Sequence, residues 1–557
     1  MRGAVDASLQ ERMIPMSDQT PLRPLLSIEG LSIQFGHAAS SSEVVHNISF
    51  QIHAGEKLAL VGESGSGKSV TALSILHLHD RHHVSYPSGE IYFQGRDLLK
   101  CDQRTLRGIR GKDIAMIFQE PMTALNPVYT IGQQLIEPLM VHEGMNKTMA
   151  RQRMLELLDR TGIPEPHKRF DAYPHMLSGG QRQRVMIAMA LACSPKLLIA
   201  DEPTTALDVT IQLQILNLLE DLRRDFSMAV LMITHDLNMV RRFADRICVM
   251  QHGHLVEQAT VNDLFAAPQH PYTRFLLDSE PTRLLADETA ASMATRPVLM
   301  QADKLKCAFP IKAGFFRHKI GEVKAVDNVD LTVRQGETLG IVGESGSGKS
   351  TLGMCLLRLQ ECAGEIVFDG QRLDTVGSRQ LRLLRRNFQV VFQDPYSSLS
   401  PRMTVEQIIG EGLQIHFPAL TKLQRRERIV KVLGEVGLSG DMLSRYPHEF
   451  SGGQRQRIAI ARVVVLEPKL ILLDEPTSAL DVSVQKQVLE LLRGFQVTHG
   501  LSYLFITHDL KVIRAMAHRV MVMRGGSVVE AGDTEQLFTA PRHEYTQTLL
   551  HASLFIK

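Results

Sequence analysis

Short apolar runs and helically spaced segments alternate along the first half of the chain. Alternating or continuous apolar residues predict strands, and the β-branched runs among them are typical of buried parallel strands. The predicted strands lie at residues 26–28, 31–33, 44–52, 57–62, 115–119, 196–200, 229–234 and 247–250. Because strands alternate with helices, the pattern predicts an α/β core.

One stretch of this half is dominated by helical spacing. Residues 130–142 and 147–161 have apolar positions at helical intervals and charged outer faces. They predict a helical arm inserted between Gln119 and Ser178. Another helix is predicted from Lys68, directly after a glycine-rich loop.

The same order of elements returns from about Val298, so the sequence predicts two tandem units. The segment between them has little apolar periodicity and is interpreted as a short linker. The predicted division is an N-terminal extension at 1–24, expected to be disordered, a first unit at 25–277, a linker at 278–297 and a second unit at 298–557.

Composition narrows the functional classes. Lys plus Arg number 62 and Asp plus Glu number 60, giving a net charge of +2, which offers no support for a nucleic-acid partner. The six cysteines are scattered without a CxxC pair, which favours neither a disulfide framework nor a zinc ribbon. No apolar stretch approaches the ~18–20 residues of a membrane span, and the start lacks the apolar region of a signal peptide. We therefore expect a soluble chain whose membrane role, if any, comes through partners.

A phosphate-binding loop of the form GxxxxGK[ST] occurs in both units, each time between a predicted strand and a predicted helix. Its glycines let backbone N–H groups surround a phosphate, its lysine reaches the β- and γ-phosphates, and its serine binds Mg²⁺. The loop residues are Gly62, Glu63, Ser64, Gly65, Ser66, Gly67, Lys68 and Ser69 in the first unit, and Gly343, Glu344, Ser345, Gly346, Ser347, Gly348, Lys349 and Ser350 in the second.

The residue after each loop differs between the units. Thr351 has a hydroxyl that can bond the α-phosphate, whereas the first unit has Val70 at the same position. A lost hydrogen bond of this kind costs about 0.5–1.5 kcal/mol at most. The first site is therefore expected to bind ATP slightly more weakly and still hydrolyse it.

Polar residues follow several predicted strands, where they can surround a phosphate. Aspartates at strand ends suit a Mg²⁺ contact, and the glutamates next to them can accept a proton from an attacking water. Histidines that end a later strand are predicted to contact the γ-phosphate, and glutamines before the arm to contact Mg²⁺ or water. These residues are Asp201, Glu202, His235 and Gln119 in the first unit, and Asp474, Glu475, His508 and Gln393 in the second.

A Ser-Gly-Gly-Gln sequence starts a long predicted helix in each unit. Serine is a good N-cap, and the N–H groups at a helix start can bind phosphate. Since this helix belongs to the arm, away from the loop of its own unit, it is expected to serve the other unit's nucleotide. The residues are Ser178, Gly179, Gly180 and Gln181, and Ser451, Gly452, Gly453 and Gln454.

Together these motifs resemble the ATPase of ATP-binding-cassette (ABC) proteins, over nearly the whole chain after about residue 25. The resemblance implies two P-loop NTPase domains, each with a mostly parallel core sheet, an antiparallel β subdomain and a helical arm. It also implies ATP and Mg²⁺ as ligands. Cassettes of that family pair head to tail, which implies intramolecular sites combining Lys68 with Ser451 and Lys349 with Ser178. Phe35 and Phe309 fall where the family stacks an aromatic ring on adenine.

A narrower resemblance lies after each cassette. His270-Pro271-Tyr272-Thr273 is similar to the tail of oligopeptide and dipeptide importer ATPases, and the fused arrangement looks most like the microcin C/oligopeptide importer group. The second copy has Glu544 in place of Pro271, so its tail motif is degraded. Some relatives carry an iron–sulfur segment after this tail, but 276–299 contain no cysteine and no cluster is predicted.

The resemblance implies partners and a place in the cell. The implied partners are two integral-membrane permease subunits and, indirectly, a substrate-binding protein outside the membrane. The implied location is the cytoplasmic face of the inner membrane. Nickel and glutathione importers share much of the pattern and stay open as alternatives for the substrate. A rival class, soluble paired-cassette ATPases that act on ribosomes or DNA, usually has charged linkers, basic extensions, zinc cysteines or coiled coils, which this sequence lacks.

Overall fold

The structure is a computed structural model, and it describes a large share of the chain. The described residues are 23–36, 41–80, 82–119, 124–204, 208–285, 290–313, 318–478 and 480–553. The predicted N-terminal extension lies outside them except for its last two residues. In these parts of the chain, no helix is long and apolar enough to cross a membrane.

The first half contains ten strands and ten α-helices whose bounds lie within its described residues. The strands are β1 Leu26–Phe35, β2 Ser42–Ile52, β3 Lys57–Val61, β4 Val84–Phe93, β5 Arg96–Asp97, β6 Ile114–Ile117, β7 Leu197–Asp201, β8 Ala229–Thr234, β9 Arg246–Gln251 and β10 His254–Thr260. The helices are α1 Lys68–Ile75, α2 Gln103–Ile109, α3 Ile131–His142, α4 Lys147–Arg160, α5 Pro166–Phe170, α6 Gly179–Ala190, α7 Val209–Phe226, α8 Leu237–Phe243, α9 Val261–Ala266 and α10 Pro271–Asp278.

A short helix, α11 Ala290–Ala294, precedes the second half, which repeats the order of the first. Its strands are β11 Val298–Ala313, β12 His318–Arg334, β13 Thr338–Val342, β14 Ala363–Phe368, β15 Gln371–Arg372, β16 Phe388–Val391, β17 Leu470–Asp474, β18 Ser502–Ile506, β19 Arg519–Arg524 and β20 Ser527–Asp533. Its helices are α12 Lys349–Leu356, α13 Ser378–Leu384, α14 Pro395–Ser398, α15 Val405–His416, α16 Lys422–Glu435, α17 Gly452–Val464, α18 Val482–His499, α19 Leu510–Met516, α20 Thr534–Thr539 and α21 Glu544–Ser553.

Each half holds a six-stranded sheet and a four-stranded antiparallel sheet. The six-stranded order is β10-β9-β3-β8-β7-β6 in the first half and β16-β17-β18-β13-β19-β20 in the second. Strands in it are parallel except for the last hairpin, in which β10 and β20 run antiparallel to their neighbours. The antiparallel sheets are β2-β1-β4-β5 and β12-β11-β14-β15. The predicted fold class is confirmed, including its antiparallel subdomain.

The central strands read as continuous apolar runs because both faces of the sheet are covered. Every residue of β7 and of β17 is buried, including the aspartate that ends each strand. A polar side chain at the end of such a strand emerges where parallel strands of an open sheet present their carboxyl ends to a ligand. Each six-stranded sheet thus has one buried carboxylate at the edge where its parallel strands end: Asp201 in the first half and Asp474 in the second.

The helical arm is also present as predicted. In the first half, α3 and α4 pack around Leu135, Leu139 and Leu158, all of them buried. Thr130 begins α3 with a capping box, accepting from the Gln133 N–H while the Gln133 side chain accepts from the Thr130 N–H.

The start of the segment interpreted as a linker is docked onto the second half. The Leu284 N–H donates to the Ala515 carbonyl at 3.0 Å. Arg283 Nη1 donates to the carbonyls of Arg514, at 2.6 Å, and Ala517, at 3.0 Å. These contacts hold the segment along α19 by hydrogen bonds. Leu284 also packs against the apolar core of the second half, and Leu285 is buried. Two adjacent apolar residues leave no periodic signal in the sequence.

Candidate nucleotide-hydrolysing sites

The phosphate loop of the first half links β3 to α1 in a conformation that requires glycine. Gly62, Gly65 and Gly67 have φ values of 154°, 79° and 98°. A Cβ at Gly62 would lie 2.2 Å from the Met250 carbonyl oxygen, so backbone packing also forbids a side chain there. These backbone angles give the loop the tight turns that carry the chain from β3 into α1, at whose start the helix dipole favours an anion.

The loop lysines are buried and held on the loop itself. Lys68 Nζ donates to the carbonyls of Gly62 at 2.7 Å and Glu63 at 2.8 Å. In the second half, Lys349 Nζ makes the equivalent bonds at 2.8 and 2.9 Å. Burial lowers the pKa of both lysines, while nearby carboxylates oppose this effect. Both ammonium groups are thus confined to the cradle that a triphosphate would enter.

The proposed Mg²⁺ ligands are in contact in both halves. Ser69 Oγ donates to Asp201 Oδ1 at 3.1 Å, and Ser350 Oγ donates to Asp474 Oδ1 at 2.9 Å. Burial raises the pKa of Asp201 to about 6 and also raises the pKa of Asp474. A hydroxyl and a buried carboxylate form a hard-oxygen pair that suits Mg²⁺, whose charge would offset the cost of ionising the buried acid.

The glutamate after each of these aspartates lies at the centre of a polar group. Gln119 Nε2 donates to Glu202 Oε2 at 2.8 Å, and His235 Nδ1 lies 3.1 Å from Glu202 Oε1. Glu202 has a φ of 46°, a left-handed conformation that is unusual for glutamate and found at functional sites. The structure therefore brings together the predicted base, Glu202, with Gln119 and His235. His235 and its equivalent in the second half, His508, are here called the switch histidines.

The second half repeats this geometry. Gln393 Nε2 donates to Glu475 Oε2 at 2.8 Å, and His508 Nδ1 lies 3.1 Å from Glu475 Oε1. Burial opposes ionisation of Glu475, but the contacts with His508 and Gln393 and the charge of Lys349 outweigh it, so its pKa is lowered. For His508, burial disfavours the charged form, but Glu475 outweighs it and the pKa is raised. In the second half, the two shifts favour a carboxylate on Glu475 facing a protonated imidazole on His508.

The serines of the two Ser-Gly-Gly-Gln sequences cap their helices as predicted. Ser178 Oγ accepts from the Gln181 N–H at 3.3 Å, and Ser451 Oγ accepts from the Gln454 N–H at 3.4 Å. Both belong to capping boxes at the starts of α6 and α17. Their contribution to the nucleotide of the opposite half stays a prediction.

Two side chains of the second half contact the phosphate loop of the first half, and these contacts were not predicted from the sequence. Asp481 Oδ1 accepts from the N–H of Ser64 in the phosphate loop of the other half, at 2.8 Å. Ser483 Oγ donates to Glu63 Oε1 of the same loop. The equivalent aspartate of the first half, Asp208, instead accepts from the Ile211 N–H and caps α7. The sequence did show that Asp208 and Asp481 follow the strand-ending aspartates, Asp201 and Asp474, at the same spacing in both halves.

The tail tyrosines were also missed as site residues. The Tyr272 hydroxyl accepts from the Glu63 N–H at 3.2 Å, and the Tyr545 hydroxyl accepts from the Glu344 N–H at 3.1 Å. Burial raises the pKa of Tyr272 to about 12, so the neutral hydroxyl persists. The same contact occurs in both halves although Glu544 replaces the proline of the first tail. The tail of the second half therefore keeps the tyrosine contact with the phosphate loop, although its sequence differs from that of the first tail.

The aromatic residues predicted to stack on adenine occupy different surroundings. Phe35 ends β1 and meets His79 edge-on, with ring centroids 5.2 Å apart. Phe309 lies on β11, and 41% of its surface is exposed. Stacking on adenine stays a prediction for both.

These features define the class of protein as a double-cassette ATP hydrolase. The model of the ABC transporter family matches residues 45–205 and 326–478, and the model of the oligopeptide/dipeptide transporter C-terminal region matches 256–311 and 529–556. The chain belongs to the ABC transporter ATP-binding family and hydrolyses ATP.

Similar proteins span nearly the same length. A protein of Agrobacterium fabrum named peptidoglycan transport ATP-binding protein YejF is 56% identical over 97% of this chain and 98% of its own. The glutathione import ATP-binding protein GsiA of Salmonella typhimurium is 46% identical over 97% of this chain and 91% of its own.

Among solved structures, a dimeric cassette in a post-hydrolysis state bound to ADP and phosphate is 28% identical to this chain. It covers 42% of this chain and 99% of its own, with a TM-score of 0.39.

Proposed function

We propose that this chain energises the uptake of peptides through an ABC importer, as the ATPase subunit of a complex with two membrane permease subunits and an external substrate-binding protein. The observation that carries the proposal is the peptide-transporter tail, whose tyrosine bonds the phosphate loop in each half. The names of the similar proteins agree with it, because glutathione is a tripeptide and peptidoglycan contains short peptides.

Hydrolysis in this proposal is carried out by the acidic group of each half. Glu202 accepts the proton of the attacking water, while Gln119 and His235 orient its carboxylate. Ser69 and Asp201 would hold Mg²⁺, which would supply charge neutralisation at the phosphates. Glu475 plays the same part in the second half.

Head-to-tail pairing of the halves is supported by the crossing contacts. The loop N–H of Ser64 is held by Asp481 of the opposite half, so the second half already touches the first phosphate loop. We infer that Ser451 and its helix start complete the Lys68 site, and that Ser178 completes the Lys349 site. Each ATP then lies between opposite halves, and its hydrolysis allows them to separate.

The arm offers a surface for the permease. Val128 and Tyr129, just before α3, are 71% and 52% exposed, and Phe118 beside Gln119 is 40% exposed. Exposed apolar side chains that form a patch favour a protein contact, and Val128 and Tyr129 are adjacent in the chain. Since Gln119 also bonds Glu202, a permease segment docked here would be linked to the hydrolytic group. We infer that the chain is a peripheral subunit at the inner face of the membrane.

Reconstitution tests the proposal. The chain is co-expressed with the permease and binding-protein genes adjacent to its own, and ATP hydrolysis and uptake of labelled di- and tripeptides are measured in vesicles. We expect a peptide-loaded binding protein to stimulate hydrolysis and drive uptake, and a Glu202→Gln, Glu475→Gln variant to abolish both.

Other outcomes would separate the alternatives. Stimulation by glutathione alone, or by Ni²⁺ alone, would refute general peptide uptake and retain the importer. Sedimentation with ribosomes, unaffected by the permeases, would refute the importer itself.

A further inference from the structure

The tail of the first cassette reaches both halves of the molecule. At the start of α10, Tyr272 accepts from the loop N–H of Glu63 in its own half. At its end, the Asp278 carbonyl accepts from Lys486 Nζ of α18, in the other half, at 3.0 Å. The tail therefore connects the first phosphate loop to the second cassette.

Directly after this helix, one carboxylate oxygen joins the two halves. Glu280 Oε1 accepts from Asn238 Nδ2 and from Lys511 Nζ, both at 2.9 Å. Asn238 lies on α8, three residues after His235, and Lys511 lies on α19, three residues after His508. The two donors therefore occupy equivalent positions on the two helices that follow the switch histidines, here called the switch helices.

The surroundings strengthen this bridge. The Lys511 side chain is only 17% exposed and that of Glu280 is 36% exposed, so water and salt screen the ion pair less than a pair on open surface. The following residues, Arg283 and Leu284, bond main-chain carbonyls near the end of the second switch helix. The backbone next to Glu280 is thus fixed to the second half, and the Glu280 carboxylate extends from there to Asn238 of the first half.

The second tail has no matching carboxylate. The residue at the position equivalent to Glu280 is Ser553, whose hydroxyl donates to the Leu550 carbonyl of its own helix at 3.1 Å. Glu280 and Ser553 both line a cavity of about 240 Å³ between the halves, together with His235 and His508. Among the residues of the two tails that the structure describes, the first tail alone supplies a charge that joins the switch helices.

We propose that Glu280 is a positioning residue for ATP hydrolysis: it holds the two switch helices together and so preorganises the paired cassettes before ATP binds. Its side chain bonds Asn238 and Lys511, which lie on the switch helices and not among the hydrolytic residues. Because a ligand binds more weakly when its competent state is less populated, loss of the bridge raises the ATP concentration needed for half-maximal hydrolysis. The turnover rate at saturating ATP is retained, since the hydrolytic groups are unchanged. The inference rests on the head-to-tail pairing proposed above.

The test compares ATP hydrolysis by full-length variants in the transporter complex. Glu280→Lys and Lys511→Glu are each expected to raise KM for ATP by about five-fold or more, a shift typical of coupling between sites. The double variant restores an ion pair of reversed sign and should return KM toward the wild-type value. Glu280→Gln, which removes the charge but keeps an acceptor, should give a smaller rise. Glu544→Gln is the matched control, because it removes a carboxylate from the second tail at an exposed position, and it should leave KM unchanged.

The outcomes separate positioning from a merely structural role. A rise in KM with kcat retained, reversed in the double variant, supports the proposal. An unchanged KM in Glu280→Lys overturns it, as does a fall in kcat with a lowered melting temperature that the double variant does not repair. If peptide-driven uptake fails in the wild type while KM responds as expected, the proposed substrate is wrong and the positioning role stands.

Discussion

Replacing Asp201 by asparagine is expected to stabilise the nucleotide-free protein while it removes activity. Asp201 is 5% exposed, and burial raises its pKa from 3.8 to about 6. Near neutral pH Asp201 is ionised in the folded chain, but its burial makes the charged form less favourable than it is in the unfolded chain. Asparagine is nearly the same size, still accepts the hydrogen bond from Ser69, and carries no charge.

The pKa shift sets the magnitude. The difference between about 6 and 3.8, at about 1.4 kcal/mol for each unit, corresponds to about 3 kcal/mol of unfolding free energy. Because the pKa is raised on folding, the stability contributed by Asp201 is complete below pH 3.8 and is lost as pH rises through about 6. The advantage of the variant should thus grow between these values and stay constant above them.

Urea unfolding of the full chain between pH 4.5 and 8, followed by circular dichroism, measures this difference. Asp159→Asn, at an exposed position in α4, is the control and should show no comparable gain. In parallel, Mg²⁺-dependent ATP hydrolysis by the first site should fall sharply in Asp201→Asn, because a neutral amide is a weaker Mg²⁺ ligand than a carboxylate. A variant that is no more stable than the wild type at pH 7.5, or whose advantage is the same at pH 4.5, would refute the argument from burial.

Three further perturbations test the paired sites. Glu202→Gln combined with Glu475→Gln should trap an ATP-bound closed form with hydrolysis nearly abolished; substantial turnover in a steady-state assay would rule out these residues as the bases. Ser178→Arg should cripple the second site more than the first, as measured by site-resolved nucleotide trapping, and the reverse result would exclude head-to-tail pairing. Val70→Thr should raise the ATP affinity of the first site by up to about ten-fold, the equivalent of one hydrogen bond; equal affinities at both sites before and after the change, in a binding titration, would contradict the role of that hydroxyl.

Much of the fold and of each hydrolytic group was predictable because the signals are local. The glycines of the first phosphate loop adopt backbone angles that few other residues tolerate, and the apolar run of β7 ends at Asp201 where the strand leaves the core. Such features depend on a few neighbouring residues, so sequence alone predicts them. The duplication then extends the prediction to the second half.

Other contacts join residues far apart in the chain. Tyr272 is 209 residues from its partner Glu63, and Asp481 is 417 residues from Ser64. A tyrosine in a tail or an aspartate before a helix has the same local pattern whether or not it reaches a phosphate loop. Packing of the tail and of the opposite half determines which partner it meets.

The sequence by itself determined the two cassettes and the order of their elements, and it predicted the residues proposed for hydrolysis, since backbone conformation and strand burial leave a local record in residue type. The tertiary structure alone decided how the halves touch, and the residues that follow the first tail show the reason. Glu280 joins a segment without apolar periodicity to Lys511, 231 residues away. Hydrogen bonds and ion pairs of this kind depend on where side chains meet in space, and no spacing along the chain records that position.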